Sequence, residues 1–142
     1  DLAMTLHDLD MHHFSQYWKR GVRTGHAYAE VAQRFRGTDD ALWSKESNNA
    51  LRDASLLVGT PLAAAVVSAG LRRTWPLAAV GVFWAAVIGR TVNRGLWKSP
   101  DLNTRVLYAF HSHFQKVPIS WGQLLYRSAS RRGDRKTLIE YK

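Results

Sequence analysis

Residues 54–89 read ASLLVGTPLAAAVVSAGLRRTWPLAAVGVFWAAVIG. Two uncharged apolar runs, 54–71 and 74–89, are parted only by Arg72 and Arg73, and this segregation predicts two bilayer helices joined by a tight turn. The runs hold 18 and 16 residues, about 27 and 24 Å as helices against a hydrocarbon core of about 30 Å. Both are short. Leu56, Leu57, Val58, Val80, Phe83, Trp84, Val87 and Ile88 favour insertion, whereas Gly59, Thr60, Pro61, Ser68, Gly70 and Pro76 weaken it. The pattern therefore fits a hairpin that crosses a thinned bilayer or re-enters one leaflet.

The flanks fix its orientation. Arg34, Arg36, Lys45 and Arg52 precede the hairpin, Arg90, Arg94, Lys98 and Arg105 follow it, and only Arg72 and Arg73 occupy the tip. The positive-inside bias then places both termini in the cytoplasm. Each flank is only about 53 residues long, too little for a large soluble core or a catalytic cleft of its own. Residues 1–10 show no signal-peptide pattern. With no cysteine, the chain has no disulfide, zinc-thiolate site or cysteine nucleophile, as suits a reducing compartment. The net charge of +9 and pI near 10.4 call for an anionic partner. Beside an apolar middle, that partner is a membrane lipid headgroup. No nucleic-acid-binding pattern accompanies the aromatic and basic residues.

Outside the hairpin the chain reads as helical, apart from a short strand of alternating Leu2, Met4 and Leu6 ending near His7. In 12–36, Phe14, Tyr17, Trp18, Gly21, Val22, Gly25, Tyr28, Ala29, Ala32 and Phe35 recur at three- and four-residue steps. They form one stripe of an amphipathic helix. Gly21 and Gly25 each cost a helix about 1 kcal/mol relative to Ala, so they imply the close approach of another element. Residues 37–53 read as a loop or short surface helix. In 90–142, Leu102, Val106, Phe110 and Phe114 share one helical side, and Pro118 breaks that run. Trp121, Leu124, Leu125 and Ala129 then oppose Gln123, Arg127, Arg131 and Arg132, as in a helix lying among lipid headgroups before a basic tail.

Few residues carry recognisable chemistry. Gln16, Lys19, Arg20 and Arg23 follow i, i+3, i+4, i+7 spacing, so one helix side presents an amide and three cations suited to a diphosphate or to lipid phosphates. Asp8-Leu9-Asp10 has the form of a metal and nucleotide-sugar element, but three such residues are a weak signal and read rather as an N-cap for the helix starting near His12. His7 is a possible metal ligand. His111 and His113 point about 200° apart on a helix, and read as interfacial histidines rather than a metal pair.

The run MTLHDLDMHHFSQYWKRGVRTGHAYAE and the end HSHFQKVPISWGQLLYRSASRRGDRKTLIEYK resemble the C-terminal part of a bacterial membrane-bound family 2 glycosyltransferase. The resemblance implies a GT-A domain upstream of Asp1, with residues 1–11 the end of its sheet and a helix cap. It implies a mainly α segment here: a membrane hairpin flanked by amphipathic interfacial helices, plus the strand left over from the α/β domain. Gln16-Tyr17-Trp18-Lys19-Arg20 stands where that family has a Gln-x-x-Arg-Trp element near donor diphosphate and acceptor, with Lys19 in place of Arg and Arg20 in place of Trp. Trp18, Arg23 and the neighbouring cations join the substrate-binding set, and His7 matches a histidine that closes the metal site. The parent enzyme would use a divalent metal, Mg or Mn, with a nucleotide-sugar donor and a glycan or lipid acceptor. This chain alone is expected to bind no metal and to lack activity, with no catalytic residue of its own. The other expectation is a small non-catalytic helical membrane subunit of a larger complex.

Overall fold

A computed structural model describes residues 13–38 and 41–133. Among these residues there are five helices and no strand: α1 Phe14–Arg34, α2 Ser44–Leu71, α3 Trp75–Arg94, α4 Leu102–Phe114 and α5 Lys116–Arg131. The expected strand ending at His7 lies outside the described residues. Two compact units divide the chain, one carrying α1, the first residues of α2 and α5 from Pro118, the other the rest of α2 with α3 and α4.

In the first unit, α1 begins with an extended His13 at its N-cap. The Gln16 side-chain oxygen accepts the His13 backbone N–H at 3.1 Å, satisfying a group that a helix start leaves without a partner. His13, not Asp8 or Asp10, is thus the cap. The glycines find their neighbour in α5. A Cβ at Gly21 would stand 2.7 Å from the Pro118 ring, one at Gly25 would overlap the Ile119 carbonyl, and one at Gly122 of α5 would overlap the Val22 carbonyl. Backbone packs on backbone through glycines from both helices, the small-residue contact typical of helices in lipid.

Gln123 of α5 has no exposed surface and Ser47 almost none. The Ser47 hydroxyl donates to Gln123 Oε1 at 2.6 Å, and Gln123 Nε2 donates to the Ser47 carbonyl at 3.2 Å. The expected polar side of α5 departs at Gln123, which is buried, while Arg131 and Arg132 stay exposed. The Gln123 amide points inward, whereas Trp121, Leu124 and Leu125 are 50%, 51% and 45% exposed. Ser120 and Gly122 also turn inward, because only narrow residues fit against α1, and Ser47 removes the cost of burying Gln123.

In the second unit, α2 starts before the apolar run. The polar segment expected over 37–53 ends at Trp43, and 44–53 are helical: they hold no Gly or Pro, and Glu46 in the first turn suits the helix dipole. At 28 and 20 residues, α2 and α3 are about 42 and 30 Å long. Both are long and apolar enough to cross a membrane. Pro61 sits inside α2, where it withholds the N–H that Leu57 would accept.

The turn between them closes at Arg72, in the left-handed region at φ 52. Arg73 N–H donates to Ser68 O at 3.0 Å and Arg72 N–H to Ala69 O at 3.3 Å, the double bond pattern of a Schellman C-cap. Pro76 lies in the first turn of α3, where no N–H is missed. α4 is capped by Asp101, whose carboxylate accepts the backbone N–H and the hydroxyl of Thr104, both at 2.6 Å. These bonds hold the exposed Asp101 carboxyl below its ordinary pKa. α4 ends at Gln115, before Pro118, which stands in the first turn of α5 and breaks nothing.

The buried apolar residues are small, chiefly alanines: Ala29, Ala50, Ala54, Ala64, Ala109 and Val92. The large ones face out, with Val66 73% and Val82 71% exposed. Only 17% of the apolar window in α2 and 11% of that in α3 is buried inside the protein. The stripe expected on α4 also turns outward at Leu102, Phe110 and Phe114, with Ala109 inside.

Candidate functional site

α1 positions the cationic cluster that its spacing predicts. With 3.6 residues per turn, Gly21, Gly25 and Ala29 occupy the side packed on α5, and Gln16, Lys19, Arg20 and Arg23 occupy the opposite, exposed side. Trp18 is half-buried, its ring 6.1 Å from Phe14. Tyr17 stacks at 6.0 Å on Phe14, and burial pushes its phenol above the ordinary pKa. Gln16 already spends its oxygen on the His13 N–H, so only its amide nitrogen is left to donate to a ligand. Arg34 pairs with Glu30 at 3.3 Å one turn along. Three cations without an acidic residue between them are suited to phosphate oxygens.

His7, Asp8 and Asp10 lie outside the described residues. Among the described residues no three His, Asp or Glu side chains converge on one point.

Sequence reasoning missed a second cluster, in the unit of α2, α3 and α4. Asp53 accepts from Lys116 Nζ at 2.5 Å and from Arg52 Nε and Nη2 at 3.1 and 3.0 Å. His113 of α4 pairs with the Thr91 hydroxyl of α3 at 3.1 Å, its ring 6.1 Å from that of Trp84. Trp84 Nε1 in turn donates to Thr60 of α2 at 3.0 Å. Burial, then the nearby Lys116 cation, lower the His113 pKa below its ordinary value, against a smaller opposing effect of Asp53, so the neutral ring is favoured. Of these groups Asp53, Trp84, His113 and Lys116 line a cavity of about 190 Å³, together with Leu56, Leu57, Phe83 and Val87. Asp53 and Lys116 are 63 positions apart in sequence, and no spacing rule links them; the apolar run beginning just after Asp53 was the only signal.

On α5, Leu124, Arg127, Ser128, Arg131 and Arg132 line an open groove of about 410 Å³. Comparison with protein-family models, with curated proteins and with solved structures finds no match to this chain.

Proposed function

We propose that this chain is the membrane-anchoring helical part of a nucleotide-sugar-dependent glycosyltransferase that builds a cell-surface glycan or glycolipid. In this reading α2 and α3 lie in a bacterial inner membrane with both termini cytoplasmic. The sequence resemblance suggests the enzyme. The observation that carries the membrane role is the outward display of large apolar side chains by α2 and α3, of whose apolar windows only 17% and 11% are buried. A soluble core helix hides that surface; here lipid covers it.

α1 would hold Gln16, Lys19, Arg20 and Arg23 at the cytoplasmic interface, where they neutralise the leaving diphosphate of the donor. Gly21 and Gly25 fix α1 against α5, so the cations sit on a rigid element rather than a loop. Metal, donor-binding loops and general base would belong to the catalytic domain. The test is made in the intact enzyme. Arg20→Ala is expected to lower turnover by about ten- to a hundredfold, the loss of one charge-assisted hydrogen bond, with membrane insertion unchanged. Arg34→Ala, whose residue pairs with Glu30, is expected to do little. Equal small losses for both would show that the cationic side meets only lipid headgroups.

A further inference from the structure

The cavity of the second unit is shaped like an amphiphile. Asp53, with its partners Arg52 and Lys116, stands where the apolar run of α2 begins. Leu56 and Leu57 follow one turn deeper, and Phe83, Trp84 and Val87 of α3 line the same space. The polar end is thus at the membrane surface, and the apolar end points about 6 Å further into the hydrocarbon. Trp84 is held in place by Thr60, so the apolar wall is preformed.

Size and charge narrow the occupant. A volume of about 190 Å³ is below the roughly 300–1,000 Å³ of sites that enclose whole small molecules, so an occupant extends out of it, and two hydrocarbon chains do not fit side by side. Arg52 and Lys116 bring two positive charges to the single negative charge of Asp53. One cation is in surplus. Lys116 is 29% exposed and has three ammonium hydrogens, of which Asp53 takes one. A lysine donor between membrane helices on the cytoplasmic side, with Arg52 beside it drawing on the same carboxylate, suits an anionic headgroup.

We infer that this cavity is a binding site for one anionic phospholipid, with one acyl chain against Leu57, Phe83, Trp84 and Val87 and the phosphate on Lys116. The bound lipid bridges α2, α3 and the start of α5 at Lys116, and covers the half-buried Trp84. The inference rests on the membrane reading above, but its failure is separable from that reading.

The test uses the whole chain reconstituted in bilayers of equal phosphatidylglycerol and phosphatidylcholine, then released gently and weighed by native mass spectrometry. One retained phosphatidylglycerol per chain is expected, with Lys116→Gln weakening retention about tenfold and Val87→Phe, which fills the cavity, abolishing it. Both variants should still resist carbonate extraction. Retention of both lipids alike, or unchanged retention in Val87→Phe, overturns the site while leaving the membrane reading standing. A second readout is independent of both variants. Phosphatidylglycerol brominated on its chain should quench the wild-type tryptophans more than brominated phosphatidylcholine, and Trp84→Phe should remove that difference. Equal quenching by the two lipids refutes the site.

Discussion

Replacing Gly25 by Ala should destabilise the α1–α5 pair, against the propensity of the helix itself. In a helix interior the change alone gains about 0.8–1.0 kcal/mol. At Gly25 the added methyl meets the Ile119 carbonyl oxygen, with the Ile119 carbonyl carbon 2.6 Å away. Those are backbone atoms of a second helix, which cannot rotate aside. Overpacking costs about 1–3 kcal/mol, and a backbone clash belongs at the upper end, so a net loss of about 2 kcal/mol is expected. Gly59 and Gly81 are internal controls, since a Cβ at either meets nothing within 4 Å. The assay is thermal unfolding in mild detergent followed by circular dichroism. Gly25→Ala should melt earlier than wild type, and Gly59→Ala and Gly81→Ala at or above it. A Gly25→Ala protein as stable as the two controls would refute the close crossing.

Gln123→Ala removes both hydrogen bonds to buried Ser47 and should cost about 2–4 kcal/mol in the same assay, one bond at a time plus the stranded Ser47 groups; a loss below about 0.5 kcal/mol would place Gln123 at the surface. Arg72→Gly relieves a left-handed residue at φ 52 and should raise stability by about 1 kcal/mol, whereas a fall would mean that the turn is built differently. The Asp101 carboxyl is held below its ordinary pKa by Thr104, so its contribution to α4 is fully present above about pH 4 and fades as pH falls through the lowered value. Asp101→Asn should flatten the acid limb of the helicity curve below pH 4, and an unchanged limb would assign the titration elsewhere.

The helical character was legible because its signals are local. The stripe of α1 and the apolar runs of α2 and α3 follow from spacing alone, and Gly21 and Gly25 announced a close neighbour without naming it. What escaped depended on the solvent. Trp121, Leu124 and Leu125 on α5, and Leu102, Phe110 and Phe114 on α4, were assigned to apolar stripes of interfacial helices and are exposed, but no period in a sequence shows which residues of the same helices turn inward. Gln123 is the sharpest case: a polar residue read as outward is buried, because Ser47 in a distant segment satisfies it. The joining of 44–53 to α2 was not legible for a different reason, since Ser44 to Asn49 are polar and only their helix propensity, not hydrophobicity, extends the element. The cavity of Asp53, His113 and Lys116 was invisible because residues of four helices assemble it. The cationic side of α1 was the one candidate site legible in full, its four side chains lying within a single helix.

The most direct measurement labels single cysteines placed in this cysteine-free chain at Val66 and Val82, which are 73% and 71% exposed on α2 and α3. In native membranes both are predicted to resist a water-soluble maleimide and to react with a lipid-soluble one, with Leu96→Cys, outside the spans, as the reactive control. Ready aqueous labelling of Val66→Cys and Val82→Cys would show those sides facing water or a soluble partner, and the membrane account would fall.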